Sequence, residues 1–193
     1  MSPTVSFAWL TGASASSGHE HILRIAVDET NKKIGSNFYE KITYFDEGLT
    51  ATSKLILGNH ATDFPTTEGG KAIAKFYNFQ GSTSDWHHKK ELQNLHFLRS
   101  WDDCNPQLPI DVIEKSFLAI DQATSAAIEA YKSGDSDLFQ YLVGHVTHII
   151  QDGFSPAHVR RNKEDPSKVD DICVYSDEFD EVCVHEDLDV RDS

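Results

Sequence analysis

Residues 137–152 read DLFQYLVGHVTHIIQD, and the periodicity of this stretch decides the fold class. Leu138, Tyr141, Leu142, His145, His148, Ile149 and Asp152 recur at the spacing of one helical face. The first half of that face is a core stripe. The second half keeps the face but carries two histidines and a carboxylate. An inward-facing carboxylate is expensive unless it is paired or bound to a cation. His148 and Asp152 stand four apart, so both side chains project to one spot. Such a pair is either hydrogen-bonded or half of a zinc site.

Working outward, Gly134 reads as a helix stop, and Asp135 or Ser136 as the cap of the 137–152 helix. Before it, Pro109 suits a first helical turn. Ile110, Ile113, Phe117, Ile120, Ala127 and Tyr131 follow at helical spacing. A third helix is predicted from His19 to about Lys33, with Ile22, Ile25 and Ala26 on one face. A fourth is predicted around Lys71–Phe79. Residues 38–58 hold two short apolar pieces, and a polar loop carries Trp86, His87 and His88. No stretch shows repeated strand alternation. The expectation is an all-α, single-domain helical bundle: residues 1–18 form an extended Ser/Thr/Gly-rich arm and residues 19–193 the helical domain.

The composition suits a folded chain of this length, 193 residues with 39% apolar and 25% charged. No apolar run approaches the ~20 residues needed to span a bilayer. The net charge of −14 removes the global basic field that favours non-specific duplex binding. It leaves phosphate-bearing substrates open, because bound cations supply local positive charge. Much of the acidity lies in residues 164–193 and reads as a solvated surface. Three cysteines, Cys104, Cys173 and Cys183, are too few for a disulfide scaffold; Cys173 and Cys183 are either bridged or free thiols.

Ten histidines stand out, histidine being the commonest metal ligand. His158 lies six residues past Asp152, and His185 and Asp189 repeat the four-residue spacing. His21 opens the first helix, Asp63 ends the segment GNHATD, and His96 sits between Leu95 and Phe97. His19 and His60 read as surface residues, with His19 in reserve for His21. No HExxH motif occurs, against the common zinc proteases, and no His-Asp dipeptide, against HD-type phosphohydrolases.

The stretch 141–158, YLVGHVTHIIQDGFSPAH, resembles the signature of the zinc-dependent phospholipase C family: a Leu-Gly pair, then His-x3-Asp-x3-Pro-x-His. That family shares its helical fold with single-strand-specific zinc nucleases. The resemblance extends more weakly over residues 9–189. It implies a cleft with three zinc ions. One would be held by Asp63, His96, His148 and Asp152. A second would be held by His158, His185 and Asp189. The third would be held by His21, by Asp152 as a bridge, and by Trp9 through a free α-amino group and carbonyl oxygen. Ser6-Phe7-Ala8 before Trp9 has the look of a signal-peptidase site, and with residues 1–8 attached the Trp9 chelate is lost. Only four residues follow Asp189, fewer than the family carries there. The expectation is either a C-terminally shortened chain or a last carboxylate drawn from Asp177, Glu178 or Glu181.

Asp63 would be both a zinc ligand and the candidate general base of catalysis. His145 has no counterpart in the motif and reads as a satisfied buried histidine or one that orients a ligand from behind. Phe64 either borders the head-group pocket or packs. The function implied is zinc-dependent phosphodiester hydrolysis, a phospholipase C acting on phospholipid at a membrane surface and secreted or periplasmic. A nuclease of the same fold acting on single-stranded nucleic acid is the first alternative. A non-catalytic, zinc-stabilised helical module is the second.

Overall fold

The computed structural model describes residues 19–35, 53–63, 68–81, 86, 89–99, 108–156 and 158–173. These are mostly helical: α1 is His19–Ile34, α2 Lys54–Ala61, α3 Glu68–Phe76, then a 3₁₀ helix Lys90–His96, α4 Pro109–Ser133 and α5 Ser136–Asp152. Two short strands follow, β1 Val159–Arg161 and β2 Val169–Ile172, paired antiparallel with Arg160 opposite Asp171. α1, α4 and α5 arise where the sequence predicts them and α3 begins and ends a few residues before the predicted Lys71–Phe79, whereas α2 and the 3₁₀ helix are not predicted; no helix among the described residues is long and apolar enough to cross a membrane.

The punctuation of the long helices follows the local chemistry. Pro109 occupies the first turn of α4. Gly134 ends it at φ +81°, the left-handed conformation that costs glycine little. The Asp135 carboxylate then accepts from the Leu138 N–H at 3.0 Å and caps α5. So short a link folds α4 back onto α5.

Two of the expected helix faces need correction. On α1 the buried residues are His19, Leu23 and Val27; Ile25 and Ala26 are exposed and Ile22 half-buried. Apolar residues lie on both sides of this helix, and packing selects the side that carries His19. On α4 the buried stripe is Val112, Ser116, Ala119, Ala123, Ala127 and Ala130. Ile113 and Ile120 pack at its edge, while Ile110, Phe117 and Tyr131 are more than half exposed. Small residues let the neighbouring backbone come close, so the interface takes the alanines. The face of α5 is as the sequence predicts, with Tyr141, Leu142, His145, His148, Ile149 and Asp152 all buried.

The β-hairpin is an addition to the all-α expectation. Its strands are three and four residues long with polar outer positions, so they present no alternation to read. It anchors the chain beyond α5, with the Cys173 N–H donating to the His158 carbonyl at 2.7 Å and the Arg99 N–H to the Cys173 carbonyl at 2.9 Å.

What positions the site is the crossing of α2 and α5. A Cβ on Gly58 would lie 2.0 Å from the Tyr141 carbonyl oxygen, so this contact admits only glycine. Glycine within a helix costs roughly 1 kcal/mol relative to alanine, and the approach it permits sets the C-terminal end of α2 beside the last turns of α5. Asn59 spans the joint, its amide donating to the Gly144 carbonyl at 3.3 Å and to the Gln151 Oε1 at 3.1 Å.

Candidate metal centre

Five segments bring side chains to one point. α1 supplies His19, the turn after α2 Asp63, and the end of the 3₁₀ helix His96. The last turns of α5 supply His148 and Asp152, and the turn before β1 supplies His158. All but Asp63 are buried, and Asp63 is 20% exposed at its side chain.

Four ligand-type atoms stand in a compact arrangement. The Asp63 Oδ1 lies 3.4 Å from the His96 Nδ1 and 3.4 Å from the His148 Nε2. The Asp152 Oδ2 lies 3.1 Å from the His148 Nε2 and 3.6 Å from the His96 Nδ1. A tetrahedral cation with N/O arms of ~2.1 Å requires its ligand atoms to sit about 3.4 Å apart along each edge. The four separations cluster around that value. The other Asp152 oxygen, Oδ1, lies 3.2 Å from the His19 Nε2. The His19 ring stacks on His148 with centroids 4.1 Å apart.

Orientation distinguishes these contacts from hydrogen bonds. Both nitrogens of His148 and both oxygens of Asp152 are buried and make no hydrogen bond. Such groups cost free energy unless something satisfies them, and the His148 Nε2 and Asp152 Oδ2 converge with Asp63 and His96 in a way that suits a cation between them. The tautomers agree. The Gln151 amide nitrogen donates to the His19 carbonyl, so its Oε1 accepts from the His19 Nδ1 at 2.7 Å. The proton on His19 Nδ1 leaves Nε2 as the atom that faces the Asp152 carboxylate, at 3.2 Å. The His158 Nδ1 likewise donates to the His96 carbonyl, which places the ligand-type lone pair on Nε2. Buried His/Asp groups in this chain are therefore able to hold a metal ion: His96, His148 and Asp152 form one close set, and His19, Asp63 and His148 another.

The electrostatics are those of mutually supporting charges. Burial pushes the Asp152 carboxyl up, and His158, His148 and His19 override it and hold the group well below the usual carboxylate range. Asp63 behaves the same way, with His148 and His96 opposing its burial. Burial pushes the His148 ring down, and Asp63 and Asp152 raise it well above the usual histidine range. Both carboxylates are thus ionised.

The structure brings together Asp63, His96, His148 and Asp152, the residues that the resemblance implies for one ion, and places His158 beside them. His21 is corrected. Residues two apart on a helix project to opposite sides, and the place against Asp152 belongs to His19. His21 is half-buried, 3.3 Å from the Arg24 guanidinium. The expectation of His19 on the surface fails with it, since this side chain is 3% exposed. The signal was present, because His19 leads the i, i+4, i+8 row of Leu23 and Val27. Trp9, His185 and Asp189 lie outside the described residues, as do Phe64, His87, His88 and the alternative carboxylates at 177, 178 and 181.

His145 is buried behind the cluster with both ring nitrogens bonded, Nδ1 to the Thr62 hydroxyl and Nε2 to the Tyr77 hydroxyl, each at 2.8 Å. Burial first, then the neighbouring His148 and His96, push its pKa down to about 3, so it stays neutral. Trp86 is fully buried and its indole N–H donates to the Thr62 carbonyl at 2.6 Å. Neither Thr62, Tyr77 nor Gln151 was singled out by the sequence, since polar side chains that meet across elements leave no local pattern.

No family model matches the chain, and no match is found among the curated proteins or the solved structures.

Proposed function

We propose that this chain is a zinc-dependent phosphodiester hydrolase, with phospholipid as substrate. The observation that carries the reading is the set of four ligand-type atoms from Asp63, His96, His148 and Asp152, spaced 3.1–3.6 Å apart with no hydrogen bond at His148 or Asp152. The donor set of imidazole and carboxylate without thiolate is one that zinc and other first-row divalent metals accept, and the resemblance selects zinc among them. His19 and Asp152 Oδ1 offer a place for a second ion beside the first. The resemblance of residues 141–158 to zinc-dependent phospholipases supports the same chemistry.

Zinc ions held by these residues would supply a water ionised near neutral pH, a clamp on the non-bridging phosphate oxygens, and charge stabilisation for the leaving oxygen. The chain's own residues do the rest. Asp152 is held between histidines and orients the cluster. Asp63 is the cluster's solvent-reached carboxylate, so it is the group placed to take a proton from the attacking water. Water's oxygen bonds to phosphorus as the bond from phosphorus to the diacylglycerol oxygen breaks, the proton taken by Asp63 passes to that leaving oxygen, and the phosphorylated head group is released. Action outside the cytoplasm, at a membrane surface, belongs to this reading.

The test is to strip the protein with chelator, restore zinc, and follow hydrolysis of bis(p-nitrophenyl) phosphate. Zinc-dependent turnover that Asp63→Asn abolishes is the expected result. No turnover with zinc bound would leave a zinc-stabilised helical module. Phosphatidylcholine vesicles and single-stranded DNA, compared next, decide between lipase and nuclease.

A further inference from the structure

We propose that His145, acting through the Thr62 hydroxyl, is a positioning residue that fixes the Asp63 carboxylate against the histidines of the cluster. Asp63 sits in the turn that ends α2, where the regular hydrogen bonds of the helix have run out. Its own N–H and that of Thr62 donate to the His60 and Asn59 carbonyls at 3.2 and 3.3 Å, a loose final turn. A functional carboxylate needs placement to within ~0.5 Å, which a turn alone does not give.

The residue before it is held from three sides. The Thr62 side chain meets the His145 Nδ1 at 2.8 Å and the Gly58 carbonyl at 3.4 Å. The Thr62 carbonyl accepts from the Trp86 indole at 2.6 Å. Thr62 and Trp86 are fully buried, and so is His145. The bonds form a directed chain. The Thr62 O–H donates to the Gly58 carbonyl, which leaves the Thr62 oxygen to accept from the His145 Nδ1–H; in that tautomer the His145 Nε2 accepts from the Tyr77 O–H. Every proton is used and the imidazole is neutral, in keeping with its burial.

The consequence lies in which elements are joined. His145 is one turn from His148 on α5. The bond to Thr62 therefore refers Asp63 to the helix that carries His148 and Asp152. Both nitrogens of His145 are engaged, so it is not itself a ligand. Tyr77, just past α3, is the far anchor, and Trp86 fixes the opposite side of the same residue.

This inference rests on the metal reading, and the experiment separates the two. The probe is Co²⁺ alone, added to the metal-free full chain, with affinity from competition against a chromophoric chelator and geometry from the visible absorption bands. Thr62→Val keeps the shape and removes the hydroxyl; Thr62→Ser keeps the hydroxyl. The expected result is ~10–100-fold weaker Co²⁺ binding and altered bands in Thr62→Val, with both restored in Thr62→Ser. Tyr77→Phe should alter the bands in the same direction, and it decides the matter if Thr62→Val does not fold. Parent affinity and parent bands in Thr62→Val or Tyr77→Phe, even with lowered thermal stability, would overturn the positioning role. Failure of the unsubstituted chain to bind Co²⁺ would instead overturn the metal reading, and this inference with it.

Discussion

A Cβ on Gly144 would lie 2.0 Å from the carbonyl oxygen of Leu55 and 2.7 Å from the amide nitrogen of Asn59. The obstructing atoms are backbone and cannot rotate away. Overpacking a core typically costs ~1–3 kcal/mol, and with backbone in the way Gly144→Ala should meet or exceed the top of that range. Because the same crossing carries Asp63 to His148, metal content should fall with stability. Urea unfolding and zinc analysis of Gly144→Ala check both; parent stability would contradict the contact.

Asp152 presents one oxygen to His148 and His96 and the other to His19. Asp152→Asn keeps the volume and removes the charge that these histidines surround. Losing a group that merely supports a ligand costs ~10–100-fold in metal affinity, so this change should cost at least that. Equilibrium dialysis against zinc measures it, and unchanged binding would remove Asp152 from the site.

The two histidines at the start of α1 give a paired test. His19→Ala should lower zinc affinity, and His21→Ala should leave it unchanged, because only His19 lies against Asp152. The reverse order would restore the assignment read from the sequence.

His145 gives the stability of the fold a pH dependence of known sign. In the unfolded chain it takes up a proton near pH ~6.5; in the folded protein its pKa is pushed down to about 3. Its folded value is the lower one, so its contribution is intact above pH 6.5 and is lost as the pH falls toward 3. The slope approaches ~1.4 kcal/mol per pH unit. The stability difference between the parent and His145→Gln, measured by urea unfolding without metal at pH 7, 6 and 5, should shrink as the pH falls. A pH-independent difference would contradict a buried neutral His145.

The sequence carries the α5 face and the His148–Asp152 pair openly, because helical periodicity is local. The caps at Gly134 and Asp135 are equally local. What it withholds depends on contacts between distant segments. The choice of His19 over His21 follows from which side of α1 meets the rest of the molecule, and apolar residues occupy both sides. The alanine face of α4 is quieter than the Ile110–Phe117–Tyr131 row that ends up exposed. The hairpin that anchors His158 has strands of only three and four residues paired across an intervening loop, too short for either segment to hold a pattern.

The six clustered side chains span positions 19 to 158 and come from five separate stretches of chain, only His148 and Asp152 sharing one. Only His148, Asp152 and His158 are near one another in sequence, and bringing His19, Asp63 and His96 to them requires long loops to close. A chain emerging from synthesis would therefore acquire its cation at the end of its maturation, once the turn at His158 has docked beneath His96. Occupancy of the centre is in this sense a gauge of finished assembly. On the proposed hydrolase reading, reactivity would be withheld from partly folded molecules without any separate inhibitor.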